Sequence, residues 1–213
     1  MMIQRGKFIT LEGGEGAGKS TLLAGLRDYL ENNHVVLTQA REPGGTGVGE
    51  AVRAIVLDPQ QHGLAAETEL LLMFASRAQL VREVIEPALS TGRWVLCDRY
   101  ADASYAYQGG GRGQPGERIA ELERWACAGL KPDLTLLLDL PVATGRARAA
   151  GRGDADRIEV EADAFFERVR AAYRQRAAAE PERFRVIDAS QPAAAVLHAA
   201  TLALSALVAE RAK

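Results

Sequence analysis

The sequence predicts an α/β fold, a parallel sheet sandwiched between helices, and three observations predict it. Five short β-rich runs recur along the chain, at residues 8–11, 35–38, 94–97, 134–138 and 184–187. They are apolar on both faces, as strands covered on both sides must be, whereas a half-exposed strand would alternate. Between them lie longer stretches with helical spacing, and strands that alternate with helices build a parallel sheet with helices on its two faces. The length of 213 residues, with 47% hydrophobic and 25% charged residues, suits one domain with a sizeable core and excludes disordered and fibrous classes.

Each element follows from local signals. Residues 8–11 give the first strand, and the glycines after it break the chain before a helix at 19–32. The second strand, 35–38, is closed by Glu42-Pro43-Gly44-Gly45, after which helical spacing resumes at 49–57 and 65–90. Thr91-Gly92 ends that long helix ahead of the third strand at 94–97. Gly109-Gly110-Gly111 is expected to stop a helix or turn a loop before a helix at 115–129. The fourth strand, 134–138, leads into a helix at 142–150, and the fifth, 184–187, lies between helices at 162–180 and 192–211. Residues 146–159 are dense in Arg, Gly and Asp, with Ile158 the one large apolar side chain, which is the composition of a mobile lid over about 146–160. Repeats, low-complexity tracts and linkers are absent from the sequence, so it reads as a single domain over 1–213.

Composition also sets aside whole classes of partner. Lys plus Arg number 26 against 28 Asp plus Glu, a formal net charge of −2, so no positive field exists to bind a polyanion by counterion release. A nucleic acid polymer is not expected as a partner. The two cysteines, Cys97 and Cys127, are too few for a disulfide framework, and a reducing cytoplasm is the expected location. Thr10 and Glu12 interrupt the first apolar stretch, which therefore lacks the core of a signal peptide. The Ala-rich segment 193–209 falls short of the roughly 20 residues a spanning helix needs. Its His198, Thr201 and Ser205, spaced by three and four, make the polar stripe of a packed C-terminal helix, so no membrane is expected either.

Chemistry enters directly after the first strand. Gly13-Gly14-Glu15-Gly16-Ala17-Gly18-Lys19-Ser20 matches the phosphate-loop pattern G-x-x-x-x-G-K-S/T at every required position. The glycines let the chain wrap so that backbone N–H groups face the phosphates of ATP or GTP, and the following helix turns its positive end to the same anion. Lys19 is placed to reach the β- and γ-phosphates and Ser20 to ligate Mg²⁺. Thr21, next along the helix, and Arg148 complete the candidate nucleotide site. The fold class is thereby narrowed to a three-layer sandwich of the P-loop NTPase type.

A second site follows the third strand, at Cys97-Asp98-Arg99-Tyr100. Ligands of an open parallel sheet bind beyond the carboxyl ends of its strands, so Asp98 and Arg99 emerge beside the phosphate loop if the third strand neighbours the first. Asp98 can then hold Mg²⁺ through water and Arg99 can grip a phosphate; an ordinary strand-end salt bridge is the other use of such a pair. An acceptor pocket is suggested by Arg41-Glu42-Pro43-Gly44-Gly45-Thr46, by Phe74 and Arg77, and by Ser104-Tyr105-Ala106-Tyr107-Gln108. Phe74 and Arg77 share a helix face and can offer one ring and one guanidinium to a nucleotide, although Phe74, at the end of Leu70-Leu71-Leu72-Met73-Phe74, also fits a core position. Arg146, Arg148, Arg152 and Arg157 suit a solvated face. Arg152, in Ala150-Gly151-Arg152-Gly153-Asp154, also suits a mobile cation that arrives when a lid closes on a transferring phosphoryl group.

Together these motifs resemble the thymidylate kinase family. The resemblance rests on Phe8-Ile9-Thr10-Leu11-Glu12-Gly13, Arg41-Glu42-Pro43-Gly44-Gly45-Thr46, Asp98-Arg99-Tyr100, Ala106-Tyr107-Gln108-Gly109-Gly110-Gly111 and Asp156-Arg157-Ile158-Glu159, in the family's order from residue 8 to about 160. It implies Mg²⁺-dependent transfer of the γ-phosphoryl group of ATP to dTMP by a homodimer built on a five-stranded parallel core. It also implies roles: Glu12 at the deoxyribose 3′-hydroxyl and the metal's water shell, Phe74 stacked on thymine, Arg77 and Ser104 at the base edge, Arg99 on the acceptor phosphate, and Tyr107 crowding the 2′ position. Arg41, Pro43 and Gln108 complete that acceptor site. Glu15 stands where some members carry a basic loop residue, so the resemblance is to the bacterial style, whose catalytic arginine, here Arg152, comes from the lid. Lys19, Asp98, Arg99 and Arg152 are thus the candidate catalytic residues. Two further readings stay open: a kinase of another nucleoside monophosphate on the same scaffold, and a switch ATPase, which would consume ATP with little dependence on an acceptor.

Overall fold

The computed structural model describes residues 4–150 and 155–211. β1 (Phe8–Gly13) is buried at every position. It lies at the centre of a five-stranded parallel sheet with β2 (Leu37–Arg41), β3 (Trp94–Asp98), β4 (Leu134–Asp139) and β5 (Phe184–Asp188), in the order β2-β3-β1-β4-β5. Alternation along β1 sends its side chains into two layers. Ile9 and Leu11 join Leu22, Leu26 and Leu30 of α1 (Lys19–Asn32) and Val196, Ala200 and Leu204 of α9 (Ala193–Arg211). By length and composition α9 is apolar enough to cross a membrane; Val196, Ala200 and Leu204 are its buried positions, and most of the helix, Leu202 included, is not buried. Phe8 turns the other way, onto Leu80 of α3 (Ala66–Leu80) and onto Ile85 and Leu89 beyond it. Further along the same side, Leu137 packs against Phe165, Phe166, Val169 and Tyr173 of α8 (Asp163–Ala179). The result is the three-layer sandwich that the sequence predicts.

Boundaries differ from the sequence reading in instructive ways. β2 begins at Leu37 because the Val35 N–H still bonds to Leu30 O at the end of α1, and the strand then runs on until Arg41 stands level with Asp98. β1 likewise continues past Leu11, pairing Glu12 with Leu137, so a carboxyl side chain is held on a rigid strand. α2 (Gly47–Leu57) starts two residues early because Thr46 caps it, its Oγ1 accepting the Gly49 N–H at 2.9 Å. The long helix at 65–90 is α3, a π-helical turn at Val81–Ile85 and α4 (Glu86–Ser90) in succession.

After α5 (Ala101–Ser104), residues Tyr105–Gly111 form a π-helical segment that ends at Gly111, so Gly109-Gly110-Gly111 stops a helix, the first of the two uses the sequence offers, and does not turn a loop. The glycines also serve close packing: a Cβ on Gly111 would sit 2.4 Å from Phe165 Cε2, and one on Gly110 would sit 2.7 Å from Arg168 O. Thus α8 lies directly against the segment that carries Tyr107 and Gln108. α6 (Gly116–Ala126) and α7 (Val142–Ala149) complete the helices among the described residues. Of the predicted lid, Arg146 and Arg148 lie on α7 and residues 157–160 form a turn, whereas Arg152 lies outside the described residues.

Candidate active site

The site sits at the carboxyl end of the sheet, where β1 runs through the loop 13–18 into α1. Gly16, at φ +69°, is demanded by contact as well as by dihedral: a Cβ there would lie 1.9 Å from Gly145 O on α7, and a Cβ on Gly145 would lie 2.4 Å from Glu15 O. Loop and helix therefore touch backbone to backbone. Lys19 folds back over the loop, its Nζ donating to Gly13 O and Gly14 O at 3.1 Å each. Burial, and then the charge of Arg99, lowers its ammonium to about 8. A phosphate in the loop would offset both effects.

β3 is the neighbour of β1, so Asp98 and Arg99 do emerge beside the loop. Arg99 has φ +69°, a backbone that costs a non-glycine residue about 1–3 kcal/mol. From there its guanidinium makes four hydrogen bonds: Nη1 to Gly13 O at 2.9 Å and to the Tyr173 hydroxyl at 3.2 Å, Nη2 to Glu15 Oε1 at 2.7 Å and to the Tyr107 hydroxyl at 2.9 Å. The group also lies over the Tyr107 ring, 4.7 Å from its centre. Asp98 Oδ1 is buried without a hydrogen-bond partner. Cys97 is buried too, and burial pushes its thiol well up, which makes it inert rather than nucleophilic.

A cleft of about 290 Å³ opens over these groups. Its wall brings together Glu15, Gly16, Ala17, Gly18, Lys19, Ser20 and Thr21 with Arg41, Pro43, Asp98, Arg99, Tyr107 and Gln108. Gly13 and Gly14 line a smaller hollow behind the loop. On the loop's far side a third hollow, of about 580 Å³, is lined by Gly16, Gly18, Thr21, Arg148, Ser190 and Gln191 among others. Arg148 closes its rim by donating to Ala189 O at 2.8 Å and Ser190 O at 3.3 Å.

Four predicted acceptor residues sit behind that wall rather than on it. Phe74 is 3% exposed and packs with Leu70, Ile119 and Ala126. Arg77 shares its helix face, as the spacing predicts, but lays its guanidinium 4.5 Å from the Phe74 ring centre. Arg77 also pairs with Glu42 at 2.7 Å and donates to Ser104 Oγ at 3.0 Å and Tyr100 O at 3.1 Å. Glu12, fully buried, accepts the Tyr100 N–H and the Tyr173 hydroxyl, each at 2.7 Å. Burial and the charge of Asp102 push its carboxyl up to about 8, against those hydrogen bonds and the charge of Arg99. The ordinary value is 4.5, so the folded chain holds this proton through the window between the two and stability falls as pH rises through it. Glu12→Gln is accordingly expected to flatten the dependence of Tm on pH between about 5 and 8. Parallel Tm profiles for the two proteins would show that Glu12 does not titrate there.

Three site residues escape the sequence reading. Tyr173 bridges Glu12 and Arg99, but with Phe166 and Val169 it continues a helical apolar spacing that reads as core. Glu42 lies inside a quoted motif, yet nothing in the motif shows that it neutralises Arg77. Arg53 lines the cleft and donates to Pro43 O at 3.1 Å; its signal is a basic residue beside Val52 and Val56 on the buried face of α2.

Comparison with known proteins adds an independent finding. A family model described as thymidylate kinase matches residues 11–200. Among curated proteins, the thymidylate kinase of Alkalilimnicola ehrlichii is 56% identical over 205 residues, 96% of this chain and 94% of the relative. That of Halorhodospira halophila is 56% identical over 193 residues, 90% of each chain, and one from Pseudomonas putida is 58% identical over 198 residues, 90% of this chain and 93% of the relative.

Proposed function

Since the chain belongs to the thymidylate kinase family and phosphorylates dTMP to dTDP at the expense of ATP, we propose how its own residues divide that work. The observation that carries the division is the one cleft joining the phosphate loop to Arg99, Tyr107 and Gln108, because phosphoryl transfer needs donor and acceptor phosphates in one enclosure. ATP lies with its phosphates under the N–H groups of loop 13–18 and Lys19, and with its base in the hollow beside Arg148. Arg99 takes the phosphate of dTMP, Tyr107 bars a 2′-hydroxyl, and Arg41, Pro43 and Gln108 wall the nucleoside. Phe74, Arg77 and Ser104 serve the base, and Glu12 the 3′-hydroxyl, once substrate parts the layer that covers them. Arg152 approaches from the lid and meets the charge developing between the two phosphates. No covalent enzyme intermediate is needed, because positioning and fixed charge suffice.

Mg²⁺ fits the oxygen atoms present. Asp98 Oδ1 is buried and unpartnered, and Ser20 stands at the head of α1 on the same cleft; a hard cation that keeps several of its waters asks little more of the protein. Ser20 and Asp98 would hold the ion, Asp98 through water, and when bound it supplies positive charge to the phosphate oxygens.

The acceptor assignment is tested at Tyr107. Tyr107→Ala is expected to narrow the ratio of kcat/KM values for deoxyribo- and ribonucleotide acceptors by about tenfold, and an unchanged ratio moves the discrimination elsewhere. Two further readings complete the proposal. The buried thiols of Cys97 and Cys127 suit a reducing cytoplasm. Exposed Val48 and Ile55 on α2, Leu71 on α3 and Trp125, 81% exposed on α6, suit burial against a second copy. Sedimentation equilibrium is expected to give twice the mass of one chain for the native protein and a single chain for Leu71→Arg. A native monomer would overturn that reading.

A further inference from the structure

Glu69 carries none of the roles above, although it is a charged side chain only 1% exposed. Three side chains converge on it. Its Oε1 accepts from Gln108 Nε2 at 2.9 Å, and its Oε2 accepts from Arg157 Nη2 at 2.5 Å and from Arg112 Nε at 3.2 Å. The two guanidinium groups compensate a charge that burial alone would not tolerate. Arg157 is tied down as well by its Nε to Val56 O at 2.8 Å and by its N–H to Leu57 O at 3.1 Å, so the C-terminal part of the predicted lid is docked on the end of α2.

A carboxylate can only accept, so Glu69 dictates which end of the Gln108 amide faces it. The NH₂ turns to Glu69 and the carbonyl oxygen is left on the other side. That oxygen is buried and has no hydrogen-bond partner, and Gln108 stands in the wall of the cleft. A buried acceptor without a partner is costly in a folded protein and marks where a donor from a ligand belongs.

We propose that Glu69 is a positioning residue for base selection: it holds the Gln108 amide so that an acceptor, and only an acceptor, meets the edge of the acceptor nucleotide's base. By taking Arg157 on its second oxygen, it also makes that orientation depend on the docked segment around Arg157. The base that fits offers a ring N–H donor, as thymine does at N3. Cytosine has a lone pair at that position and meets the oxygen with repulsion.

This inference rests on the assignment of Gln108 to the acceptor pocket, and the test separates the two. Glu69→Gln puts an amide that can donate in place of a group that cannot, so Gln108 can turn over and offer its NH₂ to the base. The ratio of kcat/KM for dTMP over dCMP is expected to fall by about tenfold or more. Equal losses with both acceptors, at an unchanged ratio, would mark Glu69 as merely structural and overturn the proposal. Should Glu69→Gln not fold, the wild-type enzyme decides. Its kcat/KM for N3-methyl-dTMP, which keeps both carbonyl oxygens but has no ring N–H to donate, is expected to fall about tenfold or more below that for dTMP, and equal use of the two overturns the proposal. Gln108→Leu distinguishes the failures. If it leaves dTMP and dCMP kinetics unchanged, Gln108 does not read the base and both readings fall. If it impairs dTMP while Glu69→Gln leaves the ratio intact, Gln108 keeps its place and the role of Glu69 is overturned.

Discussion

Lys19→Ala is expected to lower kcat/KM for ATP by about 10³-fold while the protein stays folded. In the structure the ammonium rests on two backbone carbonyls of the loop, Gly13 O and Gly14 O, and burial together with the charge of Arg99 disfavours its ionised form. A triphosphate would supply the anion that this arrangement calls for, and the gain grows as charge develops on the transferring group. Methyl in place of ammonium removes that gain and leaves the core untouched, since the apolar side of α1 is made by Leu22, Leu26 and Leu30. Steady-state kinetics with ATP varied, beside a thermal melt, check the two halves separately. A variant within tenfold of wild type would remove Lys19 from the phosphate site.

Arg99→Lys is expected to cost about 10²-fold in kcat/KM for dTMP with a much smaller change in the KM for ATP. The guanidinium reaches Gly13 O, Glu15, Tyr107 and Tyr173 from two nitrogens at once, and an ammonium on a flexible stem cannot hold that fork. The comparison is clean because both residues carry a Cβ and meet the same left-handed backbone at φ +69°, so folding cost cancels to first order. If Arg99→Lys keeps wild-type kcat/KM for dTMP, the acceptor phosphate is bound by other cations, with Arg41 and Arg53 on the same cleft wall the next to test.

What was legible in the sequence was what is local. The loop 13–20 is contiguous, so its glycines, its lysine and its hydroxyl state their purpose without a fold. Asp98 and Arg99 needed one further step, the adjacency of β3 and β1, which the rule for ligands at strand ends supplies in conditional form. Glu69 was beyond reach. In sequence it is an acid near the start of α3, where any acid suits the helix dipole, and its partners Gln108, Arg112 and Arg157 come from 39 to 88 residues away. Phe74 shows the opposite limit: a pattern that fits both core and pocket, with its ring lying under Arg77 and against Ile119 behind the cleft wall. Gly109-Gly110-Gly111 ends a helix, as its glycines suggested, but its close approach to Phe165 and Arg168 was not legible because those partners lie far along the chain.

The contact between Gly16 and Gly145 gives the enzyme a stiff linkage at the point where stiffness is useful. Side chains between two elements act as springs, because rotamers absorb small displacements; two bare backbones have no such give. A shift of the loop would therefore be passed directly to α7, the helix that bears Arg146 and Arg148. The loop that receives the phosphates and the helix that bears Arg146 and Arg148 are therefore set to move as one body.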